Sequence, residues 1–390
     1  MFSYNRKLIQ GKARSLKKRD IIYNQEWKLK THFSGKSPPE IFVGRFTYPH
    51  VNAGILSPDS FENTEEMSYP EIWHEKNFSI HDILSRRNKL IYGRFKADIK
   101  KKNKFLNIMQ ELSMAHKSVS TEFFLKKTPL NHVEINRYSP IIANPAPLEN
   151  ARLQENPTIN PKIDYIVSDI HVKATESMKE LYNYNIPITN INKILSAGLL
   201  GLRSQRKLVP TRWSITTVDD SLSKALLKKI RYYQEINDIL LFNAEYNGNH
   251  YEILLLPDKF SLEVIEIELI NGKVWQDYEL FYGRKTYAEN VVGAYYANRL
   301  ALCEYLEKIK KQATAIFFRE VRPEYYAPLG VGILRETSRE AFNKTPEKFN
   351  TLDEALQIAQ SRLKIPITNF IEKSMLLKEF GKQKKLNKWF

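Results

Sequence analysis

Two Asn-Gly dipeptides, Asn247-Gly248 and Asn271-Gly272, each stand between runs of alternating apolar residues. Both members of such a pair tolerate positive φ, the backbone state that a tight two-residue hairpin demands. The pattern predicts strands over Asp238–Tyr246, Tyr251–Leu256, Leu262–Ile270 and Lys273–Phe281, joined as an antiparallel meander across 237–282. A sheet this long buries one face, so helices must be found to cover it. Val291, Ala294, Tyr295, Leu302, Tyr305 and Leu306 recur at near-helical spacing and predict a long helix over 286–310, with Asn298 as its one polar interruption. Further helices are expected over 97–115, 190–204, 218–233 and 351–363. Strands are expected over Ile41–Thr47, Ala313–Val321 and Val331–Arg335, and a proline-rich connection over 139–165. The fold class that results is α+β, with a mostly antiparallel central sheet and helices around it.

Three segments follow from charge and composition. Residues 1–36 carry Arg6, Lys7, Lys12, Arg14, Lys17, Lys18 and Arg19 with few apolar partners, and read as a basic flexible arm. Residues 37–363 form the α+β body. Residues 364–390 form a Lys-rich tail. The net charge is +16 over 390 residues, which favours a phosphate polyanion as partner. Cys303 is the one cysteine, so an internal disulfide is excluded and a reducing compartment is expected. The start of the chain lacks the apolar core of a signal peptide, and no apolar run is long enough for a membrane span. The expected location is the cytoplasm, at the nucleoid.

The tail closes on Gln383-Lys-Lys-Leu386-Asn-Lys-Trp389-Phe390. One tight turn places Leu386, Trp389 and Phe390 on the same side as an apolar plug, with Gln383 left to hydrogen-bond a pocket rim. Peptides that dock on the DNA sliding clamp PCNA have this spacing, and it arises by chance at roughly one position in ten thousand. Lys382, Lys384, Lys385 and Lys388 add steering toward an acidic surface. The competing reading is a terminal helix whose apolar residues pack on the body.

Three stretches, SPPEIFVGRFTYPHVNAGILSP (37–58), LVPTRWSITTVDD (208–220) and FREVRPEYYAPLGVGILRE (318–336), resemble the archaeal Nre DNA repair family. The resemblance runs from about residue 37 to the end, and it implies a repair role and a clamp-binding terminus at Gln383, Leu386, Trp389 and Phe390. Many members have an N-terminal cysteine zinc site. This chain has no cysteine before Cys303, and His32, His50 and His74 lack a tight ligand spacing, so no structural zinc is expected.

The resemblance implies no reaction, so the residues are read directly. Arg203, Arg206, Lys207, Arg212 and Trp213 combine guanidinium forks with an indole that can stack on a base, and Arg45, beside Tyr48 and His50, joins them as a phosphate contact. Arg319 and Arg335 belong to an Arg/Glu/Tyr cluster that reads either as a DNA contact or as structural ion pairs. Asp219 and Asp220 read as helix-start residues or as acids of an active site. With Asp164, Asp169 and His171 they supply ligand types for a magnesium- or manganese-dependent phosphodiesterase, but no spacing that specifies one. The expected function is a DNA repair factor, recruited by the clamp, that binds damaged or branched DNA through a basic surface. The alternative is a clamp-recruited metal-dependent nuclease or base-processing enzyme.

Overall fold

A computed structural model describes residues 30–62, 64–131, 133–134 and 141–380. The arm residues Arg6 to Arg19 and the terminal peptide 383–390 lie outside the described residues. The first half of the chain runs through β1 (His32–Ser37), β2 (Ile41–Val43), β3 (His50–Ser57), α1 (Pro70–Glu75), α2 (Ile80–Arg87), β4 (Ile91–Asp98), α3 (Leu106–Met114), β5 (Val119–Leu125), the short β6 (Val133–Glu134) and β7 (Ile142–Ala143), and β8 (Pro145–Leu153). Helices α4 (Pro161–Ser168), α5 (Ala174–Asn183), α6 (Ile188–Ser196) and α7 (Thr211–Ile230) follow. The second half contains β9 (Gln234–Glu235), β10 (Ile239–Tyr246), β11 (Asn249–Leu256), β12 (Ser261–Glu268), β13 (Val274–Glu279), α8 (Gly293–Ile309), β14 (Lys311–Gln312), β15 (Thr314–Val321), α9 (Gly332–Asn343), β16 (Glu347–Phe349), α10 (Leu352–Arg362), α11 (Ile367–Lys373) and α12 (Met375–Glu379).

The fold is α+β, with two six-stranded sheets in place of one central sheet. Their orders are β1-β5-β8-β4-β3-β2 and β13-β12-β15-β11-β10-β16. Each is mixed: β4 pairs β8 in parallel, and β12 pairs β15 in parallel. The first Asn-Gly makes the expected two-residue hairpin, with φ of 51° at Asn247 and 76° at Gly248 and Tyr246 opposite Asn249. The second closes a wider turn, with Ile267 opposite Val274. The meander is broken between its second and third strands, because β15 inserts between β11 and β12. All eight residues of β15 are buried, so it can only occupy a sheet interior.

Helix α7 joins the halves. Val218 and Leu222 pack into the core over the first sheet, while Ile215, Leu227 and Ile230 pack into the core shared with α8 and the second sheet. Asn298 of α8 is fully buried and accepts a hydrogen bond from Ser338 at 3.0 Å. The polar interruption thus binds α8 to α9.

Several boundaries differ from expectation. The residues His32–Ser37, at the end of the predicted arm, form β1 and pair along β5. The basic run Lys100–Lys104 is a loop between β4 and α3, since it has no apolar face to bury. Val331–Arg335 opens a helix: Ile333, Leu334, Thr337, Ser338, Ala341 and Phe342 are its buried face. Residues 364–380 are folded onto the second sheet, with Ile367, Phe370 and Leu376 in the core beneath α10.

Glu263 fixes that last segment. It is fully buried on β12 and accepts hydrogen bonds from the backbone N–H groups of Met375 (2.8 Å) and Leu376 (3.2 Å) and from the Ser374 hydroxyl. A carboxylate at the first turn of α12 satisfies donors that the helix cannot. Glu263→Gln is expected to loosen α12 locally by roughly 1–3 kcal/mol. Hydrogen exchange of residues 375–380 should accelerate while that of β11 and β15 does not; equal protection in both proteins would refute the anchoring role.

Candidate nucleic-acid interface

Three loops from distant parts of the chain meet at one edge of the first sheet. The loop after β2 (44–49), the loop after β4 (99–105) and the approach to α7 (203–210) are held by backbone hydrogen bonds. Ile99 N–H donates to Pro49 O at 3.2 Å, and Leu208 N–H donates to Ile99 O at 2.9 Å. The Thr211 hydroxyl accepts from Val43 N–H at 2.9 Å and meets the Ser196 hydroxyl at 3.3 Å. Ser196 also holds Val209 through its carbonyl. Gly198, at φ 75°, makes the approach possible, because a Cβ there would lie 2.7 Å from the Lys207 carbonyl.

These ties bring two separated sequence signals together. The ring of Tyr48 lies 5.0 Å from that of Trp213, tilted by 53°. Trp213 is 42% exposed and Phe46 82% exposed, so aromatic surface faces water beside the pair. The Arg45 guanidinium sits 5.1 Å from the Phe46 ring centre. Lys100, Lys101, Lys102 and Lys207 are exposed on the loops that these ties hold, while the Lys104 ammonium donates to the Glu149 carbonyl at 2.9 Å. Asp98 also lies at this edge, its carboxyl held below its ordinary range by the backbone N–H of Lys100. Arg212 opens α7 next to Trp213, at the positive end of the helix dipole.

Rings that can stack on bases, ringed by cations that can meet phosphates, are the elements of a single-strand platform. Residues 100–104 and Phe46 were missed as site residues. Their signal was present, since a lysine run without apolar periodicity is a loop, but its location beside Trp213 is a tertiary fact.

Other predicted residues lie elsewhere. Arg203 is exposed on the approach to α7. Arg206 is turned inward, its guanidinium donating to the carbonyls of Gly201 (2.9 Å), Val167 (2.8 Å) and Asp169 (2.7 Å). It staples a loop and is corrected from DNA contact to structural residue. Asp169 accepts from the His171 backbone N–H at 2.9 Å, a local turn.

Asp219 and Asp220 lie in the middle of α7, not at its start, because the helix begins at Thr211. Asp219 is fully buried and accepts from Arg335 at 2.9 and 3.3 Å. Burial pushes the Asp219 carboxyl up and the Arg335 charge opposes this. Arg335 also faces Glu71 and Glu336. Asp220 pairs with Arg299 and, at 2.8 Å, with Lys224. Arg319 is buried against Glu266 and Asn249. Of the two readings of Arg319 and Arg335, DNA contact or structural ion pair, the structure gives the interior ion pair, since a buried guanidinium held by carboxylates cannot reach phosphate. His32, His50 and His74 sit on separate elements, each facing a different carboxylate: Glu122, Asp98 and Glu340. Among the described residues, no group of three or more His, Cys, Asp and Glu side chains is placed to hold a metal ion, and no helix is long and apolar enough to cross a membrane.

The fold and this edge define an α+β protein with a basic, aromatic loop cluster built on two mixed sheets. Residues 14–276 match the model of the family described as Archaeal Nre, N-terminal, and residues 279–389 match Archaeal Nre, C-terminal. The chain belongs to the archaeal Nre family. The boundary between the two matches falls inside β13, so it does not separate the two sheets. The chain is 34% identical over 367 residues to the DNA repair protein NreB of Archaeoglobus fulgidus, covering 90% of both chains. It is 35% identical over 368 residues to the DNA repair protein NreA of the same organism, covering 92% of both. It is 31% identical over 362 residues to the DNA repair protein NreA of Haloferax volcanii, covering 88% of this chain and 86% of the relative. No solved structure matches the chain significantly.

Proposed function

We propose that this protein is a DNA repair factor that binds damaged or branched DNA at the Tyr48–Trp213 edge and is brought there by the sliding clamp through residues 383–390. The relatives' shared name supports the repair role. The observation that carries the DNA contact is the meeting of Arg45, Phe46, Tyr48 and Trp213 at one exposed edge, with the exposed loop of Lys100, Lys101 and Lys102 tied to it through Ile99. Unpaired bases at a lesion or branch offer their faces to the rings, while intact duplex keeps them stacked.

The test is fluorescence anisotropy with labelled single-stranded, duplex and forked DNA. Trp213→Ala should weaken binding to DNA with unpaired bases by roughly 5- to 150-fold, the range of one lost stacking contact of about 1–3 kcal/mol. The triple change Lys100→Ala, Lys101→Ala and Lys102→Ala should make the dependence of log affinity on log salt shallower by about two. DNA binding that ignores both changes would remove this edge from the interface.

A further inference from the structure

Helix α7 begins at the Trp213 edge and ends, roughly 30 Å away for its 20 residues, beside a second cluster of exposed rings. Tyr232 and Tyr282 are each 90% exposed there. The segment between β13 and α8 runs alongside α7 in the opposite direction. At one end, the Arg231 guanidinium lies 5.7 Å from the Phe281 ring, as does the Lys259 ammonium. Midway, Tyr287 stacks on Tyr296 at 5.2 Å, and Tyr296 lies 5.1 Å from Arg299, the partner of Asp220. At the other end, a Cβ on Gly293 would be 3.8 Å from the Thr216 hydroxyl.

The outward face of α7 is continuous between the clusters. Trp213, Thr217, Lys224 and Lys228 are exposed and, at 100° per residue, fall within about 60° of one another. Lys228, Lys229, Lys259 and Lys285 make the far end basic. The neighbouring acids are largely committed: Asp220 to Arg299 and Lys224, Asp277 to Arg284 at 3.1 Å, and Glu307 to Lys310 at 2.6 Å. Glu289 remains exposed on the flanking segment.

We infer that α7 is the bed of an extended path for single-stranded DNA, anchored by stacking at Trp213 and again at Tyr232 and Tyr282. This rests on the DNA-binding reading of the Trp213 edge and extends it. Charge complementarity selects a polyanion. Two rings standing almost wholly in water, with cations between them and Trp213, select one with accessible base faces. A span of roughly 30 Å corresponds to about nine nucleotides at the stacked spacing of 3.4 Å per nucleotide.

The experiment is anisotropy of labelled oligothymidylates of 4, 8, 12 and 20 nucleotides on the full chain. Wild-type affinity should climb steeply between 4 and 12 nucleotides and then flatten. The double variant Tyr232→Ala/Tyr282→Ala should bind the 12-mer and 20-mer about ten-fold more weakly and the 4-mer unchanged, with the circular dichroism of the wild type. Trp213→Ala should weaken the 4-mer as well. Affinity that does not grow from 4 to 12 nucleotides, or growth that survives in the double variant, overturns the second anchor while leaving the Trp213 edge intact. No binding by the wild type, or binding indifferent to Trp213, overturns the underlying DNA-binding reading.

Discussion

Asp219→Ala is expected to destabilise the protein by about 3–5 kcal/mol, because it strands the Arg335 charge in the interior. Asp219 is fully buried on α7, and its carboxylate is the closest partner of an equally buried guanidinium on α9. Glu336, which already meets the Arg335 Nε at 3.3 Å, is shared with Arg339 at 2.9 Å, and Glu71 stays 3.6 Å away, so neither replaces the lost partner. The change should lower the thermal midpoint and reduce soluble yield. Asp220→Ala should do less, since Asp220 is partly exposed, water can replace it beside Lys224, and its buried partner Arg299 keeps Glu279 at 3.1 Å. The double change Asp219→Ala/Arg335→Met should recover part of the loss, because a matched apolar pair leaves no uncompensated charge. Thermal denaturation of the three proteins is the check. An Asp219→Ala protein within about 1 kcal/mol of wild type would show that the pair is not a structural ion pair of the kind described.

Replacing Trp389 and Phe390 together by alanine is expected to weaken clamp binding at least a hundredfold. Two aromatic anchors of such a peptide are hot-spot residues, worth roughly 2–4 kcal/mol each. Calorimetry of the full chain against the sliding clamp measures this directly, and an unchanged heat of binding in the double variant would sink the docking reading. The fold adds a constraint. Helix α12 ends at Glu379 and is held on the second sheet by Glu263, so Leu386 follows Phe380 by six residues, at most about 20 Å of extended chain. A docking peptide so near the folded body would raise the effective concentration and narrow the orientations allowed on the clamp. The Lys-rich composition set 364–390 apart from the body as a tail. Over 364–380 that division fails, because Ile367, Phe370 and Leu376, diluted among lysines, still make one buried face.

Reading the sequence worked where a local rule acts alone. Asn247-Gly248 set a hairpin because the turn is decided by the φ values of its own two residues. The helix expected over 351–363 forms as α10, which a Thr351–Glu354 capping box starts. It failed where the same residues serve two structures. The apolar string at 331–335 suits a strand or a helix equally, and α8 with its Asn298 partner Ser338 chose the helix. Asp219-Asp220 resembles a helix start, yet α7 begins eight residues earlier because Thr211 is tied to Val43 and Ser196.

The sequence by itself determined the fold class, the family and the basic character, and it singled out Arg45, Tyr48, Arg212 and Trp213 as candidate contacts. Local backbone preferences, periodicity and charge are properties of neighbouring residues, so they are written in the chain. The tertiary structure alone decided which arginines are turned into the interior. Arg206, Arg319 and Arg335 look like phosphate contacts in one dimension and are consumed by buried carbonyls and carboxylates in three. It alone tied the loop that carries Lys100–Lys102 to the approach of α7, more than a hundred residues away. Charge pairing and burial depend on contacts between distant segments, and no local pattern records those.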